Sequence, residues 1–386
     1  MLSKTQEILP SMVDWRRDFH MYPELGFQEV RTSAKIAELL QSWGYRVRTG
    51  VGKTGVVGDI GSGKPVVAIR ADMDALPIQE TNEVPYKSRH DGVMHACGHD
   101  AHMAIALGTA KVMSGEEFNG TLRFLFQPAE EVEDEEGLSG APRMIEDGAI
   151  EGVDYALALH VAASIKTGEI ELDEFAGAGV DTFYATIIGK GGHGSTPQKV
   201  IDPIFISGHV ILAIHHIVSR RLRPFEPAVI SIGSIHGGQI DNVIPEEVSL
   251  TGTIRYLNPK IQTQIHAELT RVMDIAKALG GNYELKIVDG YPPMNNDPEV
   301  LHQIRTVINE LIGADKIVEP EPEMGAEDFG FFIRDIPGAM FYLGSRIEGD
   351  PRRHHDSRFD INEDCLPIGA AVMASTALKY LGPPET

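Results

Sequence analysis

Positive charge is scarce in this sequence. Its 34 lysine and arginine residues are outnumbered by 56 aspartate and glutamate residues, which gives a formal net charge of −22 at pH 7. A nucleic-acid-binding surface needs basic side chains to displace the counterions of the phosphates, and an anionic membrane attracts basic segments for the same electrostatic reason. The composition therefore predicts a protein with neither a nucleic-acid partner nor a membrane partner.

Cysteine and long apolar runs are scarce as well. The only cysteines are Cys97 and Cys365, and the sequence contains no run of roughly 18 apolar residues, the length that spans a membrane. Residues 1–20 carry several charged side chains and lack the apolar core of a secretory signal. We therefore expect a cytoplasmic protein whose two thiols stay free in a reducing environment.

The chain of 386 residues is too long for one small core, because domains usually contain about 100–200 residues. Its first part alternates helices with short apolar strands. Near residue 181 the pattern changes to strand, helix, strand, strand, helix, strand, which is the order of a split βαβ sandwich. We predict an α/β domain formed by residues 1–181 and 292–386, interrupted by an α+β domain of residues 182–291.

One short stretch concentrates metal-ligand side chains, the sequence HACGHDAH at residues 95–102. Cys97 and His99 lie two residues apart, so in an extended or turn backbone both side chains leave the same face and can bind one metal ion. Gly98 between them allows a close bend of the backbone. A buried thiol beside surface histidines is the alternative, and we disfavour it because further ligand types follow other predicted strands.

These further ligand types come after three apolar segments. Strands predicted at residues 65–70, 121–126 and 155–159 are followed by acidic or imidazole side chains: Asp72 and Asp74, Glu130 and Glu131, and His160. In open α/β sheets, sites form where strands meet their following loops. The sequence therefore predicts that these side chains gather along one edge of a sheet.

Two candidates lie in the predicted α+β domain. His193 is flanked by glycines in the loop GKGGHGSTP, where an imidazole has no obvious packing partner, so we favour a functional role over a flexible turn. Arg255 suits bidentate binding of a carboxylate. On spacing alone, an exposed strand arginine is an equally good interpretation of Arg255.

Seven motifs in order resemble those of the dinuclear-metal amidohydrolases: HACGHDAH, FQPAEE, LHV, GKGGHGSTP, NVIP with GTIR, GAEDF, and HHDSRF. This branch of the aminoacylase and glutamate-carboxypeptidase superfamily includes hippurate hydrolases, N-acyl-amino-acid hydrolases and auxin-conjugate hydrolases. The resemblance covers nearly the whole chain. It implies a phosphorylase/hydrolase-like α/β catalytic domain with a mixed central sheet, an inserted ferredoxin-like lid domain, and a possible homodimer or homotetramer.

The resemblance also implies a role for individual residues. The implied metal ligands are Cys97, His99, Glu131, His160 and His355, with His354 as an alternative to its neighbour. Glu130 is implied as the catalytic carboxylate. From the lid domain, His193 would reach the substrate carbonyl, and Asn242 with Arg255 would hold the substrate carboxylate. Asp74 and Asp100 are expected to orient ligand histidines from behind.

The implied reaction is hydrolysis of the amide bond of an N-acyl amino acid or small peptide, which releases a free amino acid. Two divalent ions can lower the pKa of a shared water to ~7 and polarise the amide carbonyl, while Glu130 moves the proton as general base and acid. Zinc suits the ligand set, and manganese, cobalt and nickel are alternatives. Because the implied ligands and His193 belong to different domains, we expect turnover to require domain closure.

Three other functions are compatible with some of these motifs. A dinuclear phosphoesterase uses similar ligands but needs cationic groups for phosphate, which so acidic a chain supplies poorly. A dipeptidase or carboxypeptidase-type metallopeptidase fits the motifs, whereas Glu130 argues against a non-catalytic binding protein. The acidic run at residues 132–136 has two interpretations, a solvated loop or a negative rim that favours a basic substrate or raises metal affinity.

Overall fold

A computed structural model of the chain describes residues 1–320 and 323–383. The chain forms two compact units. The first, which we call the α/β unit, contains Met1–Ala176 and resumes at Asn295 and again at Phe331. The second, which we call the inserted unit, contains Gly177–Met294 and a short later segment that ends at Gly330.

The strands, numbered in chain order over the described residues, are β1 (Arg46–Val51), β2 (Gly55–Ser62), β3 (Val66–Asp72), β4 (Gly120–Gln127), β5 (Tyr155–Lys166), β6 (Ile170–Glu171), β7 (Phe175–Gly177), β8 (Gly179–Ile188), β9 (Gly192–His193), β10 (Ala228–His236), β11 (Val243–Ile244), β12 (Glu247–Tyr256), β13 (Asn282–Asp289), β14 (Met294–Asn295), β15 (Ile317–Val318) and β16 (Gly338–Arg346). The α-helices are α1 (Leu2–Glu7), α2 (Leu9–Met21), α3 (Val30–Ser42), α4 (His99–Met113), α5 (Gly140–Glu146), α6 (Pro203–Arg220), α7 (Pro259–Ala278), α8 (Pro298–Leu311), α9 (Gly330–Ile333) and α10 (Leu366–Leu381).

The α/β unit is built on an eight-stranded sheet in the order β1-β2-β4-β3-β5-β16-β6-β15. Its central strands β4, β3, β5 and β16 run parallel to one another, while β1 and β2 are antiparallel to their neighbours. Every residue of β3 is buried, as expected for a central parallel strand. The mixed central sheet predicted for the catalytic domain is therefore confirmed.

Helix α4 is buried on all sides. Of its fifteen residues, the only one that is not buried is Lys111, which is the property of a helix that runs through a core rather than over its surface. It packs on α10, α2 and β3. Because α4 begins at His99, this packing fixes the position of the metal-ligand motif that precedes the helix.

Helix α3 begins before the residue types that commonly cap helices in this segment, Thr32 and Ser33. The helix begins earlier, at Val30, because the Glu24 carboxylate accepts the N–H groups of Arg31 and Thr32 at 3.0 and 2.8 Å. A side chain from the preceding turn thus satisfies the first helical N–H groups.

The inserted unit is a four-stranded antiparallel sheet in the order β10-β12-β8-β13, with α6 and α7 packed on it. In chain order, its elements are strand, helix, strand, strand, helix, strand, which confirms the predicted ferredoxin-like domain. Residues of β8 alternate between buried and partly or fully exposed positions, because one face of the sheet is covered by helices. Phe183, Ile214 and Leu269 are fully buried in this core.

Helix α6 is long and apolar enough to span a membrane by length and composition, and it is the only such helix in the described part of the chain. One of its faces packs into the core of the inserted unit through Ile206, Val210, Ile214 and Ile217. Its apolar character is therefore partly explained by contact with the sheet.

Candidate metal centre and active site

The predicted site residues of the α/β unit lie at the carboxyl edge of its parallel strands. Asp72 at the end of β3 lies opposite Gln127 at the end of β4, and Arg70 lies opposite Ala158 of β5. His160, two residues beyond Ala158, is thus level with Asp72. The expectation that His160 follows a strand is wrong, since β5 continues to Lys166. His160 still lies at this edge because its neighbour β3 ends at the same level.

Gly98 makes the tight bend in the cysteine motif. It precedes α4 in a left-handed conformation, with φ 93°, which side-chain-bearing residues rarely adopt. A Cβ atom at this position would lie 2.4 Å from Val161 Cγ2. Both the backbone conformation and the space next to β5 therefore require glycine between Cys97 and His99.

Two groups of possible metal donors share one carboxylate. Within each group the ligand atoms all lie within 4.8 Å of one another: Cys97, Glu131 and His355 form one, and His99, Glu130 and Glu131 the other. His160 also lies in such a group, with Cys97 and His354. Glu131 is thus common to the first two groups, just as Cys97 is common to the first and the third.

Hydrogen bonds orient the rings of His99 and His160. His99 Nδ1–H donates to the backbone oxygen of Asp74 at 2.9 Å, and His160 Nδ1–H donates to that of Val161 at 2.8 Å. Each ring therefore directs the lone pair of Nε2 into the donor cluster, where Nε2 of His160 lies 3.5 Å from Cys97 Sγ. His99 Nε2 is buried and has no hydrogen-bond partner among the described residues. Such an atom is costly unless a cation occupies the site, so the residues present fit a bound metal.

His102, although part of the motif, is already fully engaged. Its Nδ1 lies 2.6 Å from Asp72 Oδ1, and its Nε2 accepts the N–H of Val161 at 2.9 Å. Arg70 binds the other oxygen of Asp72 at 2.6 Å. Burial alone would raise the pKa of Asp72, yet the charges of His99, Arg70 and His102 hold it well below its ordinary value. Asp72 belongs to the site, although its sequence position at a strand end gives it no specific role.

The adjacent histidines His354 and His355 also differ in whether the protein binds their ring nitrogens. His354 is engaged at both nitrogens, since Nδ1 lies 3.2 Å from the oxygen of Cys97 and Nε2 accepts the N–H of Ala163 at 3.2 Å. His355 Nε2 lies 3.0 Å from Glu131 Oε1. Of the two, His355 has the ring that faces the shared carboxylate.

The two aspartates expected to support the ligands behave differently. Asp74 Oδ1 lies 3.2 Å from His99 Nδ1, and its Oδ2 accepts the N–H of Glu131 at 3.0 Å. The Asp100 carboxylate instead accepts from Arg16 and His20, each at 2.8 Å, so its expected contact with a ligand histidine is wrong. One residue along a helix turns the side chain by about 100°, and this turn directs Asp100 towards α2.

In the inserted unit, β9 and β11 bring two of the predicted substrate-binding residues together. His193 pairs with Val243, and the N–H of Gly194 donates to the oxygen of Asn242 at 2.8 Å. Arg255 lies within β12 and is half-buried, and this burial lowers its pKa. Arg255 is therefore not the exposed strand arginine of the alternative interpretation.

The acidic run after Glu131 is an ion-paired turn. Asp134 binds Lys53 at 2.6 Å and Arg143 at 2.8 Å, and Arg143 also binds Glu136 at 2.6 Å. Asp134 further accepts the backbone N–H of Glu136 at 2.9 Å. Asp134 and Glu136 are thus neutralised by basic side chains. The run is therefore neither a simply solvated loop nor a negative rim whose carboxylates are all unpaired.

Comparisons with known proteins agree with this geometry. The family described as Peptidase family M20/M25/M40 matches residues 68–379. Thermostable carboxypeptidase 2 of Saccharolobus solfataricus is 41% identical over 98% of this chain and 99% of its own length. IAA-amino acid hydrolase ILR1-like 2 of Arabidopsis thaliana is 39% identical over 98% and 87%. A Bacillus subtilis protein described as a dinuclear metal binding peptidase superposes with a TM-score of 0.85 at 33% identity, over 97% of this chain and 99% of its own.

Replacing Gly98 tests whether the bend of the motif is required. We expect Gly98→Ala to lower the free energy of unfolding by at least about 2 kcal/mol, because it adds both backbone strain and overlap with Val161. Gly115→Ala, just after α4, is the matched control, since its Cβ would meet nothing closer than 3.7 Å. Denaturant unfolding of both variants measures the difference, and equal stabilities would contradict the argument.

Separate replacement of His354 and His355 provides a second test. His355→Ala should lower the bound metal by at least half, because its ring faces the shared carboxylate, whereas His354→Ala should keep its metal and lose only stability. Elemental analysis of the purified variants measures the metal content. Loss of metal in His354→Ala with retention in His355→Ala would reverse the assignment.

Proposed function

The chain belongs to Peptidase family M20/M25/M40 and is a metal-dependent hydrolase of amide or peptide bonds, and from this premise we propose that it hydrolyses N-acyl amino acids or small peptides and releases a free amino acid. The observation that carries the proposal is the placement of Glu130 beside His99 and Glu131 within one donor group. The carboxypeptidase and IAA-amino acid hydrolase relatives support these two substrate classes.

Two divalent ions are proposed as the cofactor. Their ligands in this proposal are Cys97, His99, Glu131, His160 and His355. The unpartnered Nε2 of His99 and the sharing of Glu131 between two donor groups support this set. A thiolate, imidazoles and a carboxylate suit zinc, and manganese, cobalt and nickel accept similar ligands. When bound, the ions would lower the pKa of a water molecule and polarise the substrate carbonyl.

Glu130 is proposed as the general base and acid. It is 7% exposed and directly precedes Glu131, so its carboxylate lies next to the donor cluster. In this role it takes the proton of the attacking water and passes it to the departing nitrogen. Asp74 supports the arrangement by holding both the His99 ring and the backbone of Glu131.

Three residues of the inserted unit are proposed to bind the substrate. The half-buried guanidinium of Arg255 can bind the carboxylate of an amino acid at two points, with Asn242 as a further donor. His193 can donate to the carbonyl oxygen as negative charge develops there. The support for His193 and Asn242 is the short β9 and β11 ladder, in which His193 pairs with Val243, and the hydrogen bond from the N–H of Gly194 to the oxygen of Asn242.

The metal-dependent hydrolase class argues against two alternatives raised by the sequence, a phosphoesterase and a non-catalytic binding protein. Carboxypeptidase-type cleavage of small peptides stays within the proposal because a carboxypeptidase is among the similar proteins. A cytoplasmic location is proposed because Cys97 and Cys365 are both free thiols, as is usual in a reducing compartment.

Exchange of the catalytic carboxylate tests the function. Wild-type protein should release free amino acid from N-acetyl, N-benzoyl or dipeptide substrates, and a chelator should stop the reaction. Glu130→Gln should lower kcat by at least about 100-fold because it cannot take up the proton, with metal content unchanged. Glu133→Gln, at an exposed position of the same loop, should keep wild-type activity.

Two results would contradict the proposal. Wild-type protein that is inactive on the whole panel after zinc or manganese is supplied would argue against the substrate class. Full activity of Glu130→Gln would argue against the role of that carboxylate.

We also propose that the chain forms a homodimer, or a homotetramer, through the inserted unit. Helix α6 leaves Ile204, Phe205 and Leu212 exposed at 50, 58 and 73%, and β10 lies at an edge of its sheet. Exposed apolar patches and free strand edges favour association. Light scattering should give a multiple of the 42.2 kDa chain mass, reduced by Leu212→Lys, and a monomer mass for the wild type would contradict the proposal.

A further inference from the structure

The residue before Glu130 has an unusual backbone. Ala129 has a φ of 44°, in the left-handed region that residues with a side chain rarely adopt. It is also completely buried. Such a conformation persists only where the surrounding structure holds it in place. The conformation of Ala129 also sets the direction in which the chain continues into Glu130.

Hydrogen bonds hold the backbone on both sides of Glu130. The N–H of Ala129 donates to Glu29 Oε1 at 2.8 Å, and the carbonyl of Ala129 accepts the N–H of Gly140 at 2.8 Å. On the other side, the N–H of Glu131 donates to Asp74 Oδ2 at 3.0 Å. Glu130 is thus placed between two backbone N–H groups that are each bound by a carboxylate from a distant part of the chain.

Glu29 is itself firmly placed. It is 0% exposed and directly precedes α3. Its second oxygen accepts the hydroxyl of Thr54, from the turn between β1 and β2. Burial raises the pKa of Glu29 to about 7, against the opposing effect of the Thr54 hydrogen bond. A carboxyl group in such surroundings is costly unless its oxygens are satisfied, and here donors from two different segments satisfy them.

We propose that Glu29 is a positioning residue for the hydrolysis reaction: by binding the N–H of Ala129, it holds the left-handed turn that presents the Glu130 carboxylate. The proposal rests on the proposed function, in which Glu130 moves the proton. Glu29 touches neither the donor cluster nor the reacting atoms in this role, and it acts only through the backbone of Ala129.

The test uses metal-loaded full-length protein and compares variants at Glu29 with one at Glu24. Glu29→Ala should lower kcat by about 10-fold to 100-fold, the effect of a small misplacement of a catalytic group, with KM and metal content near wild type. Glu29→Gln keeps an acceptor oxygen for Ala129 and should restore kcat to within about 3-fold of wild type. Glu24→Ala also removes a carboxylate that accepts backbone N–H groups, and it should leave kcat nearly unchanged.

Hydrogen exchange gives a readout that does not depend on turnover. Glu29→Ala should speed exchange of the amides in residues 127–131 by about 10-fold or more, since the N–H of Ala129 loses its acceptor, and Glu24→Ala should not. Thr54→Val removes the hydroxyl that binds the second oxygen of Glu29, and it should show a smaller fall in kcat and a smaller increase in exchange. This variant replaces Glu29→Ala in the test if Glu29→Ala folds poorly.

Several outcomes would overturn the inference. Unchanged kcat together with unchanged hydrogen exchange in Glu29→Ala would overturn it. The activities of wild-type protein and of Glu130→Gln test the proposed function separately, so the two failures can be distinguished. A fall in kcat that only parallels lost metal or lost stability, with exchange at residues 127–131 unaltered, would assign Glu29 a structural role. Glu29→Gln as impaired as Glu29→Ala would show that the charge matters, rather than the acceptor oxygen.

Discussion

The structure depends on keeping a dense cluster of polar ligand groups inside a mostly apolar fold. The central parallel strands β3 and β4 end at the same level of the sheet, and their neighbour β5 carries His160 at that level. A thiol, several imidazoles and two adjacent carboxylates lie at this edge. Unpaired buried polar groups cost free energy. The cluster is stable only if each donor atom is bound either by a protein group or by a cation. The hydrogen bonds of the structure distinguish donor atoms of the first kind from those of the second.

The separation is clearest among the histidines. Both nitrogens of His102 and of His354 bind protein groups. His99 and His160 each bind a backbone carbonyl through Nδ1 and direct Nε2 towards the cluster. Five histidines that look interchangeable in the motifs thus divide into structural and ligand candidates by the partners of their rings, and His355 joins the second class through its contact with Glu131.

A network of buried ion pairs supports the donor cluster. The Arg16 guanidinium is fully buried and binds Asp100, Asp360 and Glu363, which connects α2 and the segment before α10 to the start of α4. Removing one member of such a network leaves uncompensated buried charge. The donor cluster is therefore attached to a rigid support formed by segments that lie far apart in the chain.

Much of this arrangement could be predicted from the sequence, because it depends on local pattern. The strand and helix order of the inserted unit follows from periodicity, and the gathering of Asp72, Glu130 and His160 at one edge follows from their positions after predicted strands. The mixed sheet is implied by the resemblance to the dinuclear-metal amidohydrolases. The partner of Asp100, the cap of α3 by Glu24 and the contact between Glu29 and Ala129 do not. They depend on side-chain direction and on contacts that join residues far apart in sequence, and one sequence carries no direct signal of these.

The most direct test of the account is a crystal structure of the metal-loaded protein, with anomalous scattering recorded at the absorption edge of the bound metal. We expect two anomalous peaks, with Glu131 and the Nε2 atoms of His99 and His160 among the ligands and with His102 and His354 unbound. A single peak, or coordination through His102 or His354, would contradict the division of the cluster into ligands and supports.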